Sequence, residues 1–266
     1  MIKKQMGFTL AEVLITLGII GVVAAITLPI LIQNYRKHAY VNQLKKSVTI
    51  LEQGFQKMLA DNEVDSLDGT DVFGSIKNTN CNAMNGVSQV NCNDMIQNAK
   101  KYFNIVKVDS AKNLNDYKYK SLNYNDGLKY PDAKANSAIW VLSDGSYLTR
   151  YDWRNVPKIE YSNCDVIRSK GGKMCGWIGK ITVDVNGGKQ PNVEGRDIFN
   201  FFISDKGHLY SFWSRDAVIM QNGNDNNVWY KNTAGCGKKG ESITKYQTYG
   251  SGCAARIIDS GWVMDY

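Results

Sequence analysis

Glu12 is the only charged side chain between Lys4 and Arg36, and it stands just before an apolar run. An ionised carboxylate at the edge of a low-dielectric segment needs a positive partner. Cutting the chain between Gly7 and Phe8 would create a free α-amine four residues before Glu12. A glycine before the cut fits that chemistry, because a backbone without Cβ can lie close in a protease cleft. Gly7, Phe8 and Glu12 thus point to peptide-bond cleavage followed by ion pairing.

Two other groups could do chemistry. The six cysteines, Cys81, Cys92, Cys164, Cys175, Cys236 and Cys253, all follow the apolar run. An even count in an exported domain reads as disulfides, for which six thiols allow 15 connectivities. Local spacing favours Cys81–Cys92, Cys164–Cys175 and Cys236–Cys253, each closing a short loop worth about 3 kcal/mol in the chain-entropy model. Zinc is disfavoured: no Cys-x-x-Cys occurs, and His38 and His208 are the only histidines. The last group is Asp184, Asn186, Asn192 and Asp197, in a segment with four glycines or prolines to turn it. Carboxylate and amide oxygens at such positions suit Ca²⁺, a hard cation that takes about 6–8 oxygens. The spacing is not that of an EF-hand, since the twelfth position from Asp184 is Gly195. The same residues also suit a turn in which Asp184 and Asn186 bond their own backbone. No nucleophile elbow, phosphate loop or zinc motif is present, and two histidines leave little for acid–base work, so no enzyme is expected.

The elements that must carry these residues follow from the hydropathy pattern. The chain has 266 residues, 43% hydrophobic and 21% charged, the balance of a globular protein. The average conceals residues 13–32, which hold no charge. Twenty helical residues cover roughly 30 Å, the thickness of a bilayer core. A buried core helix would be shorter and interrupted. A secretory signal peptide would end in a small-x-small site before a polar start, whereas Ala24-Ala25 is followed by more apolar residues. The pattern therefore predicts a retained membrane span. Lys3 and Lys4 precede it, while Arg36, Lys37, Lys45 and Lys46 follow it, which by charge count alone would keep the body inside. The six cysteines argue for export.

Beyond the span, Val41, Leu44, Val48, Leu51, Phe55 and Met58 recur at helical spacing. They predict an amphipathic continuation to about Ala60, ended by Asp61-Asn62 and Asp68-Gly69. A coiled coil is the rival for this stripe; Gly54 and the short repeat disfavour it. Hairpins are predicted at Ala138–Leu142 with Tyr147–Tyr151, and at Ile198–Ile203 with His208–Trp213. A further strand is predicted over Ile181–Val185, ending in the Asn186-Gly187 turn signal. Helix first and strands later give an α+β fold: a long N-terminal helix, membrane-spanning in its first half, packed on an antiparallel β-sheet head stapled by disulfides. Of the net charge of +7, residues 61–266 carry only +2, so the body shows no broad nucleic-acid footprint and no nucleic-acid partner is expected.

The N-terminus, Lys3-Lys4-x-x-Gly7-Phe8-Thr9-Leu10-x-Glu12 before an apolar helix, resembles the class III signal of type IV prepilins and type II secretion pseudopilins. Ala11 stands where a bulkier aliphatic is more common in that family. Within about the first 30 residues the match is specific, and the rest of the chain is not covered by it. The resemblance implies that a prepilin peptidase cuts between Gly7 and Phe8 and N-methylates Phe8. It implies residues 1–7 as a cleaved leader, 8–34 as transmembrane and assembly helix, 35–60 as its continuation, and 61–266 as the exported head. Glu12 would then pair with the Phe8 amine of a neighbouring subunit, beside its helix-dipole role. Pro29 matches the family's helix-kinking proline, and a kink or local melting is expected there. Implied partners are the peptidase, other pilin or pseudopilin subunits, an inner-membrane assembly platform, and membrane lipid before assembly. The implied place is the cytoplasmic membrane, then a surface or periplasmic filament. Some pseudopilins carry a calcium loop in the head, which bears on Asp184 to Asp197. The body is large for a bulk subunit, so a minor or specialised one is expected. The alternative is a filament-borne binding module, an adhesin or DNA-uptake minor pilin, whose 15 Tyr and six Trp could stack sugars or bases.

Overall fold

Apolar residues at helical spacing give α1, Leu10–Asp61, a helix of 52 residues. The computed structural model describes residues 9–73, 93–110, 120–121, 138–153, 177–211, 236 and 250–266. It divides into two units, Met1–Ala39 and Tyr40–Tyr266, each taken by itself below. In the first unit α1 continues through Pro29 with helical residues on both sides. The local melting expected at Pro29 is therefore corrected. A proline removes one N–H, and its neighbours keep their own helical bonds.

The second unit begins within α1. Tyr40, Val41, Leu44, Ser47, Leu51, Gly54, Phe55 and Met58 are buried, the face expected from the spacing. The helix ends after Asp61, where the chain turns at Glu63 with φ 53°. The N–H of Glu63 donates to Ala60 O and that of Val64 to Leu59 O, both at 3.2 Å, a Schellman closure without glycine. Phe55 sits at the centre of the packing. Its ring meets Phe103 edge-on at 5.1 Å and Phe73 at 6.3 Å. Polar neighbours of this stripe grip the head as well. Glu52 Oε1 accepts the N–H of Leu209 at 2.9 Å, and Gln56 Nε2 donates to Lys206 O at 2.7 Å.

Gly54 lets α1 approach Phe103. A Cβ there would collide with Phe103 Cε1 and lie 2.7 Å from Cδ1 and 3.1 Å from Tyr102 O. Overpacking costs about 1–3 kcal/mol, against roughly 0.5–1 kcal/mol gained from alanine's helix propensity. Gly54→Ala is thus expected to destabilise the head by about 1 kcal/mol in thermal or denaturant unfolding. An increase in stability would show that Phe103 yields without cost.

Among the described residues the sheet holds eight strands: β1 Ile105–Ser110, β2 Lys120–Ser121, β3 Ala138–Leu142, β4 Tyr147–Trp153, β5 Trp177–Asp184, β6 Val193–Glu194, β7 Ile198–Ser204 and β8 Leu209–Ser211. Their order is β1-β3-β4-β5-β7-β6-β2, with β8 also paired to β7. The central pairs are antiparallel; β2–β6 and β6–β7 are short parallel contacts. Both predicted hairpins form, as β3–β4 and β7–β8. The core-facing positions alternate as pleating requires. Ile181, Val183, Phe199, Phe201 and Ile203 join the α1 stripe in one apolar cluster. On the opposite face Thr182 Oγ1 donates to Asn200 Oδ1 at 2.6 Å, satisfying both buried side chains there. Two short α-helices, α2 Asn93–Ala99 and α3 Cys253–Asp259, and a 3-10 turn at Leu67–Gly69 complete the described elements; sequence periodicity over seven residues is too short to announce the two helices.

Cys236 and Cys253 form a disulfide with Cα atoms 4.7 Å apart, as their spacing suggested. The pairings Cys81–Cys92 and Cys164–Cys175 lie outside the described residues. The observed bridge anchors α3. Arg256 on this helix donates to Cys236 O at 3.0 Å and forks onto Asp265 through two 2.7 Å bonds. Its guanidinium also covers the Tyr266 ring at 5.3 Å. Tyr266 donates its hydroxyl to Gly195 O at 2.6 Å, tying this segment to the loop before β7. Burial pushes the Tyr266 phenol far above its ordinary range, so it stays a hydrogen-bond donor.

Candidate functional site

Two places hold the residues singled out by the sequence: the start of α1 and the loop between β5 and β7. Gly7 and Phe8 lie outside the described residues. At the helix start, Thr9 precedes the first helical turn and Glu12 stands three residues on. Glu12 N–H donates to Thr9 Oγ1 at 3.2 Å, while Glu12 Oε2 accepts the Thr9 N–H at 2.8 Å. This is a reciprocal capping box, Thr-Leu-Ala-Glu, which satisfies two donors at the helix end. The Thr9 hydroxyl also donates to Glu12 Oε2 at 2.8 Å. The Ser/Thr-x-x-Glu spacing is the sequence signal for this box, which adds to the dipole role expected of Glu12.

After Glu12 the helix presents apolar side chains that nothing in its unit covers. Leu14, Ile15, Ile19, Ile20, Ile26 and Leu31 are all at least 60% exposed. So large an apolar surface on a soluble protein marks a membrane or partner contact. The helix is long and apolar enough to cross a membrane, and its most apolar window has no buried residue. The two hydroxyls within residues 13–32 are satisfied inside the helix: Thr16 Oγ1 donates to Val13 O at 3.0 Å and Thr27 Oγ1 to Val23 O at 2.9 Å. Such back-bonding removes the cost of carrying a hydroxyl into lipid. A Cβ at Gly18 or Gly21 would meet nothing within 4 Å, so small residues leave a smooth strip open to close helix approach.

The structure brings Asp184, Asn186, Asn192 and Asp197 together. Asp184 ends β5 and pairs in register with Ile198, the first residue of β7, which sets Asp197 beside it. Residues 185–197 connect them and include the two-residue β6; Asn186-Gly187 turns the chain, and pairing with β5 resumes only at Ile198. Asp197 is the hub of the loop. Its Oδ1 accepts the N–H of Val193 at 2.6 Å, and its Oδ2 accepts the N–H of Asn192 at 2.9 Å and Asn186 Nδ2 at 3.2 Å. Burial raises its pKa, and these donors oppose the rise by favouring the carboxylate. Asp184 Oδ1 accepts the N–H of Asn186 at 3.2 Å, the turn bond anticipated for it. Asn192 is held at φ 48° and is 2% exposed.

The donor set is hard oxygen, the chemistry that calcium requires. Asn186 Oδ1 and Asn192 Oδ1 are buried with no hydrogen-bond partner among the described residues, which fits an ion that would engage them. Asp197 has three N–H donors on its two oxygens, so its main work is to hold the loop closed. Among the described residues no group of three His, Cys, Asp or Glu side chains converges on a metal position. Any ion here must therefore draw on amide and backbone oxygens beside carboxylate oxygens.

Residues 2–28 match the family model described as the prokaryotic N-terminal methylation motif. The match takes in Gly7, Phe8, Glu12 and the apolar first part of α1, and supports the pilin-like or pseudopilin resemblance. Such a motif implies processing by a prepilin peptidase and assembly with other pilin subunits, and it points to a structural protein. Neither a curated protein nor a solved structure matches the chain.

Proposed function

We propose that this protein is a minor or specialised structural subunit of a type IV pilus-like or type II secretion pseudopilus filament. A prepilin peptidase removes residues 1–7 and N-methylates Phe8; α1 anchors the subunit in the cytoplasmic membrane and then packs in the filament core; the head is exported. The observation carrying this reading is the methylation motif at residues 2–28 on a helix whose apolar first part is uncovered. Glu12 is assigned to pair with the Phe8 amine of a neighbouring copy, and Pro29 to the assembly helix. Glu12→Ala is expected to be cut normally and to be depleted severalfold from sheared filaments. Normal incorporation of that variant would remove the pairing role.

We further propose that the Asp184–Asp197 loop holds a calcium ion through Asp184, Asn186 and Asn192, with Asp197 fixing the loop. The two buried amide oxygens without partners support this. An ion that binds only the folded state stabilises by about 2.7 kcal/mol at 100 times its Kd. Added Ca²⁺ is expected to raise the thermal midpoint of the intact protein, and Asp184→Ala and Asn186→Ala are expected to abolish that rise. A midpoint insensitive to Ca²⁺ would assign the loop to backbone turn bonding alone.

A further inference from the structure

The loop that carries Asp184, Asn186, Asn192 and Asp197 is backed by residues 250–266, and Gly195 marks the contact. Gly195 stands at φ 85°, and a Cβ built on it would lie 2.7 Å from Cys253 Sγ and 2.8 Å from Gly250 Cα. Gly250 leaves no room for a side chain either, since its Cβ would strike the Glu194 carbonyl. The Cys236–Cys253 bridge therefore lies directly against the turn between β6 and β7. The Tyr266 hydroxyl grips the same residue, donating to Gly195 O at 2.6 Å. Tyr266 is held in turn by the Arg256 guanidinium over its ring, and Arg256 is fixed by its two bonds to Asp265.

This turn sets the geometry of the candidate ion loop. Gly195 N–H donates to Ile198 O at 2.8 Å and Arg196 N–H to Val193 O at 2.9 Å. Asp197 follows at once and takes the N–H groups of Asn192 and Val193. A displacement of Gly195 would carry Asp197 away from Asn192. That residue is 2% exposed, and its Oδ1 has no hydrogen-bond partner among the described residues. Holding a loop in its bound conformation before the ligand arrives removes the ordering cost from the binding step.

We propose that Tyr266 and the Cys236–Cys253 bridge are positioning groups for the calcium loop: they hold the Gly195 turn from behind, so that the oxygen ligands are in place before the ion binds. The inference rests on the calcium reading above. Neither group touches the ion. They act on the fraction of molecules whose loop is ready, and the apparent affinity falls in proportion to that fraction.

The test titrates Ca²⁺ alone into the detergent-extracted full chain by calorimetry, for the parent, Tyr266→Phe, Cys236→Ala/Cys253→Ala and Gly54→Ala. Phenylalanine keeps the ring under Arg256 and removes only the hydroxyl. Tyr266→Phe is expected to bind Ca²⁺ about fivefold more weakly, the loss of one neutral hydrogen bond. The bridge variant is expected to bind more weakly still; should it fail to fold, Tyr266→Phe decides the matter alone. Gly54→Ala softens the head through Phe103 and is expected to bind Ca²⁺ as the parent does. Amide exchange gives a second readout. In Tyr266→Phe the N–H groups of Asn192 and Val193 are expected to exchange about fivefold faster without Ca²⁺ and to regain the parent's protection at saturating Ca²⁺, because ion and loop order are reciprocally linked. Unchanged affinity in Tyr266→Phe, beside a parent that binds, would overturn the proposal while sparing the calcium reading. An equal loss of affinity in Gly54→Ala would make the effect a general softening of the head, and that too overturns it. A parent that takes up no Ca²⁺ would overturn the calcium reading and this proposal together.

Discussion

Gly7→Leu is expected to leave the leader attached and to abolish incorporation into filaments. The residue before the cut must lie flat in the peptidase, and leucine adds a branched side chain where glycine has only hydrogen. The consequence reaches beyond the bond itself. Without the cut no α-amine forms at Phe8, so an adjoining Glu12 has no cation to meet, and Lys3 and Lys4 stay fixed to the end of the helix. The variant should accumulate in the membrane fraction with an intact mass that includes residues 1–7. Gly7→Ala, one methyl larger, should be cut slowly and assemble in part. A Gly7→Leu protein that begins at Phe8 would place the cut's specificity elsewhere in the leader.

Phe55→Ala is expected to be the most damaging change to the head. Removing a buried phenylalanine typically costs about 3–5 kcal/mol, through lost transfer energy and the cavity left behind. Phe55 is fully buried, its ring lies against Phe103 and Phe73, and its Cβ packs so closely on the Gly207 turn that any side chain at Gly207 would collide with it. The site joins three segments, so it cannot collapse by moving one of them. A domain's whole stability is about 5–15 kcal/mol, and the loss would therefore take a large share of it. Thermal unfolding of the detergent-extracted protein should show the midpoint of the head falling steeply, with Phe55→Leu much milder. A change below about 1 kcal/mol would mean that α1 and the sheet do not share this core.

Much of this architecture was legible in particular residues. The stripe Val41 to Met58 marked the buried face of α1, because a helix with period 3.6 has only one way to hide it. The Asp144-Gly145 and Asp205-Lys206-Gly207 turns marked two hairpins, because local turn chemistry sets strand register. Other features depend on partners distant in sequence. β1 is recognisable only once it pairs with β3, some 30 residues later, and Tyr266 gains meaning only on meeting the carbonyl of Gly195. At Pro29 the chain stays helical rather than melting, since the cost of one missing N–H is borne within the helix. At the site, the Gly7-Phe8 and Glu12 pattern was readable as a motif because the methylation motif is written in local sequence. The closure of Asp184 on Asp197 was readable as chemistry but not as geometry. It needed the β5–β7 register to set the two acids side by side.

The central claim is that the chain is cut before its apolar helix and keeps that helix. The most direct measurement is the intact mass and N-terminal sequence of the protein extracted from membranes and from sheared filaments. The expected result is a chain that begins at Phe8 and carries one methyl group on its α-amine, in both fractions. A chain that still begins at Met1, or one that begins after Ala25 with the span removed, would contradict it.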